Sequence, residues 1–92
     1  MLSSNPNEPL SHAVTFHDGF MWVELRDGRV VQARYDVFPR LRGATSKQRN
    51  NWELIGDGVG IHWPDVDEDL STEGLIRDAI SIAPASAENR AS

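Results

Sequence analysis

The residue types that could do chemistry are concentrated in one segment. Gly60 to Ser71, GIHWPDVDEDLS, holds His62, Trp63 and four carboxylates, Asp65, Asp67, Glu68 and Asp69, within twelve residues. Such a set raises three possibilities: oxygen ligation of calcium, ligation of a transition metal by imidazole and carboxylate, and general acid–base catalysis. Calcium fails on spacing. Asp65, Asp67 and Asp69 alternate as the first ligands of an EF-hand loop do, but the turn glycine would fall at Leu70 and the bidentate glutamate at Ile76. A zinc or iron site needs three or four ligands, whereas the chain has no cysteine and its histidines are His12, His17 and His62, none paired at helix spacing. Acid–base pairs work when burial drives two pKa values apart, and residues 65 to 69 are successive positions of a polar loop.

No Gly-x-Ser-x-Gly elbow, phosphate-binding loop or dinucleotide fingerprint is present, and Gly56-Asp-Gly-Val-Gly60 lacks the strand-then-helix context of a phosphate cradle. The acidic segment therefore reads as turn closure and the start of a helix. Asp65 and Asp67 are expected to accept backbone amides in a tight turn after Pro64, and Asp69 and Glu73 to favour the positive end of a following helix. Trp63 and Ile61 then bury, with His62 on the opposite side. The remaining carboxylates would meet the basic segment Arg40, Arg42, Lys47 and Arg49, or a basic partner.

The elements that must position this segment follow from pattern. From Ala13 the chain reads AVTFH-DG-FMWVEL-RDG-RVVQARY, three β-rich runs broken by two Asp-Gly pairs, which predicts a three-stranded antiparallel meander. A two-residue turn at Asp18-Gly19 sets Phe16 opposite Met21 and Val14 opposite Val23. In the second hairpin only a three-residue loop, Arg26 to Gly28 with a bulge at Gly28, keeps Val23 opposite Val31 and Met21 opposite Ala33. The predicted core face is Val14, Phe16, Met21, Val23, Leu25, Val31 and Ala33. Phe20 and Trp22 fall on the other face, which must be covered by a terminal segment, by later helices or by a partner.

Beyond the meander, Asp36 is expected to cap a one-turn helix with Pro39 in its first turn. Thr45-Ser-Lys-Gln48 has capping-box spacing and opens a helix from Ser46 to about Leu54. Val59 to Trp63 is a candidate fourth strand. Ser71 opens a last helix, Thr72 to about Ile80, on the spacing of Leu75, Ile76, Ala79 and Ile80. The fold class is α+β, a meander with a possible short fourth strand and two or three short helices. Residues 1–12 read as a disordered lead-in, 13–80 as one domain and 81–92 as a flexible tail.

Bulk composition narrows the function classes. At 92 residues the chain is one small domain, and its 39% hydrophobic content is enough for a core without metals or disulfides. No run approaches the roughly 20 apolar residues of a membrane helix and no signal peptide opens the chain, so a cytoplasmic protein is expected. A net charge of -5 and the absence of a basic stripe argue against direct nucleic-acid binding.

Asp18-Gly19, Trp22-Val-Glu-Leu25, Asp27-Gly-Arg29, Phe38-Pro-Arg-Leu41, Ala44-Thr45, Gln48-Arg49, Trp52-Glu-Leu-Ile-Gly56, Gly58, Gly60-Ile-His-Trp-Pro-Asp65, Asp67-Glu-Asp-Leu-Ser71 and Gly74-Leu75 closely resemble the small bacterial and phage family called domain of unknown function 2442, across about residues 13 to 76. The resemblance implies a compact α+β domain of open biochemical role. Some relatives stand beside a small partner in what are read as toxin–antitoxin pairs, and some carry a helix-turn-helix unit for DNA. This chain has only about a dozen residues after its last predicted helix, so direct repression is not expected of it.

The resulting expectation is a non-enzymatic protein-interaction module without a cofactor, an antitoxin-like partner of a small basic protein. Trp22, His62, Trp63, Asp65, Asp67, Glu68 and Asp69 are its candidate partner-binding residues. One alternative is a small-ligand or metal-binding domain using His62 and the 65–69 carboxylates. Another is a regulatory domain that acts on DNA only through a partner. A hydrolase lacks a nucleophile, a base and an orienter at any recognisable spacing.

Overall fold

Two antiparallel sheets, of four and three strands, share one core with three short helices in an α+β arrangement. The computed structural model describes residues 8–84; the readings made for residues 1–7 and 85–92 lie outside the described residues. The first sheet contains β1 (Ser11–His17), β2 (Phe20–Leu25) and β3 (Val30–Arg34), in the register that burial of one face demands. Phe16 faces Met21, Val14 faces Val23, Val23 faces Val31 and Met21 faces Ala33. Asp18 and Gly19 both take positive φ, as a two-residue turn of matching twist requires. Gly28, at φ 93, donates to the Leu25 carbonyl at 3.0 Å, which closes the predicted three-residue loop.

Between the sheets the chain forms a 3-10 turn over Tyr35–Val37, α1 (Pro39–Arg42) and α2 (Ser46–Arg49). Pro39 sits at the start of α1 as expected, but Asp36 does not cap it: its carboxylate accepts from the Arg34 guanidinium at 2.9 Å, and Phe38 is the uncapped N-terminal residue. The Thr45–Gln48 capping box forms with both of its hydrogen bonds. Thr45→Ala should lower unfolding free energy by about 1 kcal/mol, read by chemical denaturation.

The helix expected to run from Ser46 to Leu54 stops at Arg49. Asn50 ends it, its side-chain amide donating to the Ser46 carbonyl at 3.0 Å. The next element is β4 (Glu53–Ile55), whose alternation puts Leu54 inward and Glu53 and Ile55 outward. With only Trp52, Leu54 and Ile55 apolar, period-two burial beside a neighbouring strand outweighs a helix with no apolar stripe. The candidate fourth strand forms as β5 (Gly60–Trp63), but in a second sheet with β4 and β6 (Glu68–Ser71) rather than beside the meander.

Ser71 caps the last helix, α3 (Thr72–Asp78), by accepting from the Gly74 amide at 3.0 Å. That helix ends two residues short of the expected Ile80. Ala79 is already extended, and the Ile80 amide donates to the Gln32 carbonyl at 2.9 Å, which starts β7 (Ser81–Ala83) along the open edge of β3. Residues 81–83, assigned to the flexible tail, are thus a strand, because β3 would otherwise present unpaired backbone groups. Pro84 has no amide to extend the ladder.

The core gathers Val14, Met21, Val23, Leu25, Val31 and Ala33 from the first sheet, Ile61 and Trp63 from the second, Leu41 from α1 and Leu75 from α3. Phe16, the remaining predicted core residue, is half-buried against this cluster and meets Tyr35 and Trp63 edge-on. A polar joint ties the sheets. The Ser11 amide donates to the Gly58 carbonyl at 2.7 Å, and Thr72 Oγ1 donates to the same carbonyl at 2.6 Å. The Ser11 hydroxyl, 2.7 Å from Thr72 Oγ1, must then be the donor in that bond. Ser11 and Thr72 are both fully buried, so the structured chain begins before residue 13.

Candidate functional site

β5 and its neighbours divide the acidic segment between two environments. Ile61 and Trp63 point inward and are fully buried; Trp63 also donates its indole N–H to the Arg49 carbonyl at 2.9 Å. Trp63 is therefore a core residue with no surface to offer a partner. On the opposite face, strand register aligns Glu53, His62 and Asp69 in one row across β4, β5 and β6. Asp69, expected at the start of the last helix, lies instead within β6, because alternation of Glu68 and Leu70 against Asp69 and Ser71 suits a strand beside β5.

The turn from Pro64 to Asp67 is held from outside. Asp65 accepts from the Asn51 side-chain amide at 3.0 Å rather than from the backbone. Arg40 donates to the Asp67 carbonyl oxygen, and its guanidinium lies 3.9 Å from the Asp67 carboxylate. Asp67 itself takes φ 54, a left-handed conformation that aspartate tolerates better than most residues. Glu68 accepts from the Asp69 amide at 3.0 Å. The basic segment thus meets the acidic one through Arg40, as composition suggested. Asn51 and Glu53 carried no sequence signal, because their roles depend on a strand read as helix.

His62 Nδ1 donates to the Asp69 carboxylate. That hydrogen bond holds the imidazole above its ordinary pKa, the negative charges of Asp69, Glu53 and Asp67 add to it, and partial desolvation opposes it. A raised folded-state pKa means that the contribution to stability is full below the unfolded value of about 6.5 and is lost as pH rises through the folded value. Asp69→Asn should move the His62 titration, followed by NMR, back toward the ordinary value, with the pH dependence of unfolding flattening in parallel.

The row has the members of a histidine–carboxylate dyad. Ser71, on the same face of β6, accepts from Gly74 as a helix cap. Among the described residues no three His, Cys, Asp or Glu side chains converge to hold a metal ion. Trp22 stands apart, on the outer face of the first sheet, so the sequence-predicted residues occupy two surfaces and the core. Among the described residues no helix is long and apolar enough to cross a membrane.

No curated protein matches the chain. Among solved structures it is similar to the crystal structure of a protein of unknown function from Rhodospirillum rubrum, at 30% identity over 77% of this chain and 88% of that one, with a TM-score of 0.69. The family described as a protein of unknown function, DUF2442, matches residues 11–81, a span from the first residue of β1 to the first of β7. The register, the sheet joint and the IHWPDVDEDLS segment all fall within that match, and the chain belongs to the DUF2442 family.

Proposed function

We propose that this chain is a non-enzymatic protein-interaction module, an antitoxin-like partner that docks a small basic protein. The supporting observation is the negative charge that stays exposed on the second sheet after its structural bonds are made. The side chains of Asp67 and Asp69 are 89% and 66% exposed despite their contacts with Arg40 and His62. Glu53 and Asp65 are exposed beside them, on a chain of net charge -5. Clustered carboxylates of this kind accelerate encounter with a cationic surface, and a basic protein that acts on nucleic acid would be covered on the face that binds phosphate.

The test is coexpression of the full chain with the product of the neighbouring gene. Co-purification and restored growth of cells that express the neighbour are expected. A clean monomer together with no rescue would contradict the proposal. Under the same reading, millimolar divalent cations leave tryptophan fluorescence and melting temperature unchanged. A saturable shift would instead favour a metal-binding domain built on His62.

A further inference from the structure

We propose that the outer face of the first sheet carries a recess for one lysine or arginine side chain of a basic partner protein. The inference rests on the reading of a basic partner and adds a second contact surface to it. Register places Ala13, Glu24 and Val30 in one row across β1, β2 and β3, and Thr15 beside Trp22 in the next. These residues and His17 line a groove of about 270 Å³. That volume falls below the roughly 300–1,000 Å³ of small-molecule sites, and the groove is open, so one long side chain suits it better than a cofactor.

The wall is already ordered. The Trp22 ring stacks on His17 at 4.9 Å and 7°, meets Phe20 edge-on at 6.1 Å, and donates its indole N–H to the His17 carbonyl at 3.3 Å. An aromatic group fixed before binding loses little rotamer freedom when a ligand arrives. Glu24 is exposed, and none of the ion pairs among the described residues involves it. Ala13, Val30 and Trp22 offer apolar surface for an aliphatic stem, Glu24 an anion for its charged end, and the indole a second attraction for the cation.

Other occupants fit less well. An anion is repelled by Glu24, and an apolar side chain would desolvate that carboxylate without a partner. Arg26 and His12 line an adjoining recess with Glu24 and are the chain's own competitors. Arg34, on the same face, is engaged by Asp36. A second copy of this chain is disfavoured by its charge of -5.

The experiment titrates the full chain with acetyl-Gly-Lys-Gly-amide and with its norleucine counterpart, which keeps the stem and lacks the ammonium. NMR follows the Trp22 indole N–H and the amides of Ala13, Thr15 and Val30. Saturable shifts with lysine, absent with norleucine, and about tenfold weaker binding to Glu24→Gln are expected. Trp22→Leu serves as a second variant, whose folding is checked by unchanged core methyl resonances and whose lysine affinity should also fall. Equal binding of norleucine, an unaffected Glu24→Gln, or shifts confined to residues 62 to 69 would overturn the recess. If the neighbouring gene product co-purifies while the lysine peptide leaves Trp22 unmoved, the recess is refuted and the docking reading stands; a peptide effect at Trp22 with no co-purifying partner supports the recess and refutes the docking reading.

Discussion

Trp63→Ala should lower the unfolding free energy by about 3–5 kcal/mol, a large share of the roughly 5–15 kcal/mol that holds a domain folded. The indole is fully buried where the two sheets meet, touches Phe16 edge-on at 6.4 Å, and ties β5 to the end of α2 through the Arg49 carbonyl. Alanine leaves a cavity and an unpaired carbonyl together. Trp63→Phe keeps most of the volume and loses the hydrogen bond, so its cost should be intermediate, about 1–3 kcal/mol. Urea unfolding of the three proteins separates these contributions. A Trp63→Ala chain as stable as the parent would mean that this tryptophan is not the centre of the core.

Gly58→Ala should be comparably severe, at about 3–5 kcal/mol, for a backbone reason. Gly58 is buried at φ 113, and a methyl group there would stand 2.2 Å from the Ser11 carbonyl oxygen and 2.9 Å from its nitrogen. Both are backbone atoms and cannot swing aside. Relief requires β1 to move from the β4–β5 turn, which breaks the bond from the Ser11 amide to the Gly58 carbonyl and parts the Ser11 hydroxyl from Thr72. Gly19→Ala is the control: its φ of 84 is also positive, but nothing lies within 4 Å of the added carbon. That variant bears only the conformational cost, about 1 kcal/mol. If both variants lose the same amount in thermal unfolding, steric closure of the sheet joint is not what Gly58 provides.

The three-stranded meander is legible in the sequence because burial of one face admits a single register. Moving Val23 from Val31 to Gln32 would have put polar groups in the core, and the bulged loop at Gly28 followed from that alone. Ser71, Thr45 and Pro39 were legible for a similar reason, since each helix start advertises a local hydrogen-bonding need. The second sheet was not legible as a sheet. Its strands have three or four residues, and β6 carries Glu68 and Asp69, so pattern showed only β5. β7 gave no local signal at all, because Ser81–Ala83 is extended through pairing with β3 and not through its own composition.

The outline of the acidic segment is legible in the sequence, and its side-chain contacts are not. Burial of Ile61 and Trp63, the opposite facing of His62 and contact with the basic segment all hold. Two carboxylates, however, meet side chains where backbone amides were expected, Asp65 with Asn51 and Asp67 with Arg40, and Asp69, expected at the start of the last helix, meets His62 across the ladder. Those partners come from α1, the link after α2, and β5, which only tertiary structure brings together. Trp63 illustrates the same limit from the other side, since a tryptophan in a polar run is equally compatible with a docking anchor and a core residue until its neighbours are known.

The central claim is that the exposed carboxylates receive a basic protein. The most direct measurement is the affinity of the full chain for the purified neighbouring gene product, by calorimetry at low and high salt, for the parent and for Asp67→Asn/Asp69→Asn. One-to-one binding that weakens as salt rises, with a shallower salt dependence in the double variant, is the expected result. Absence of binding at low salt, or binding equally tight in both proteins at every salt concentration, would contradict it.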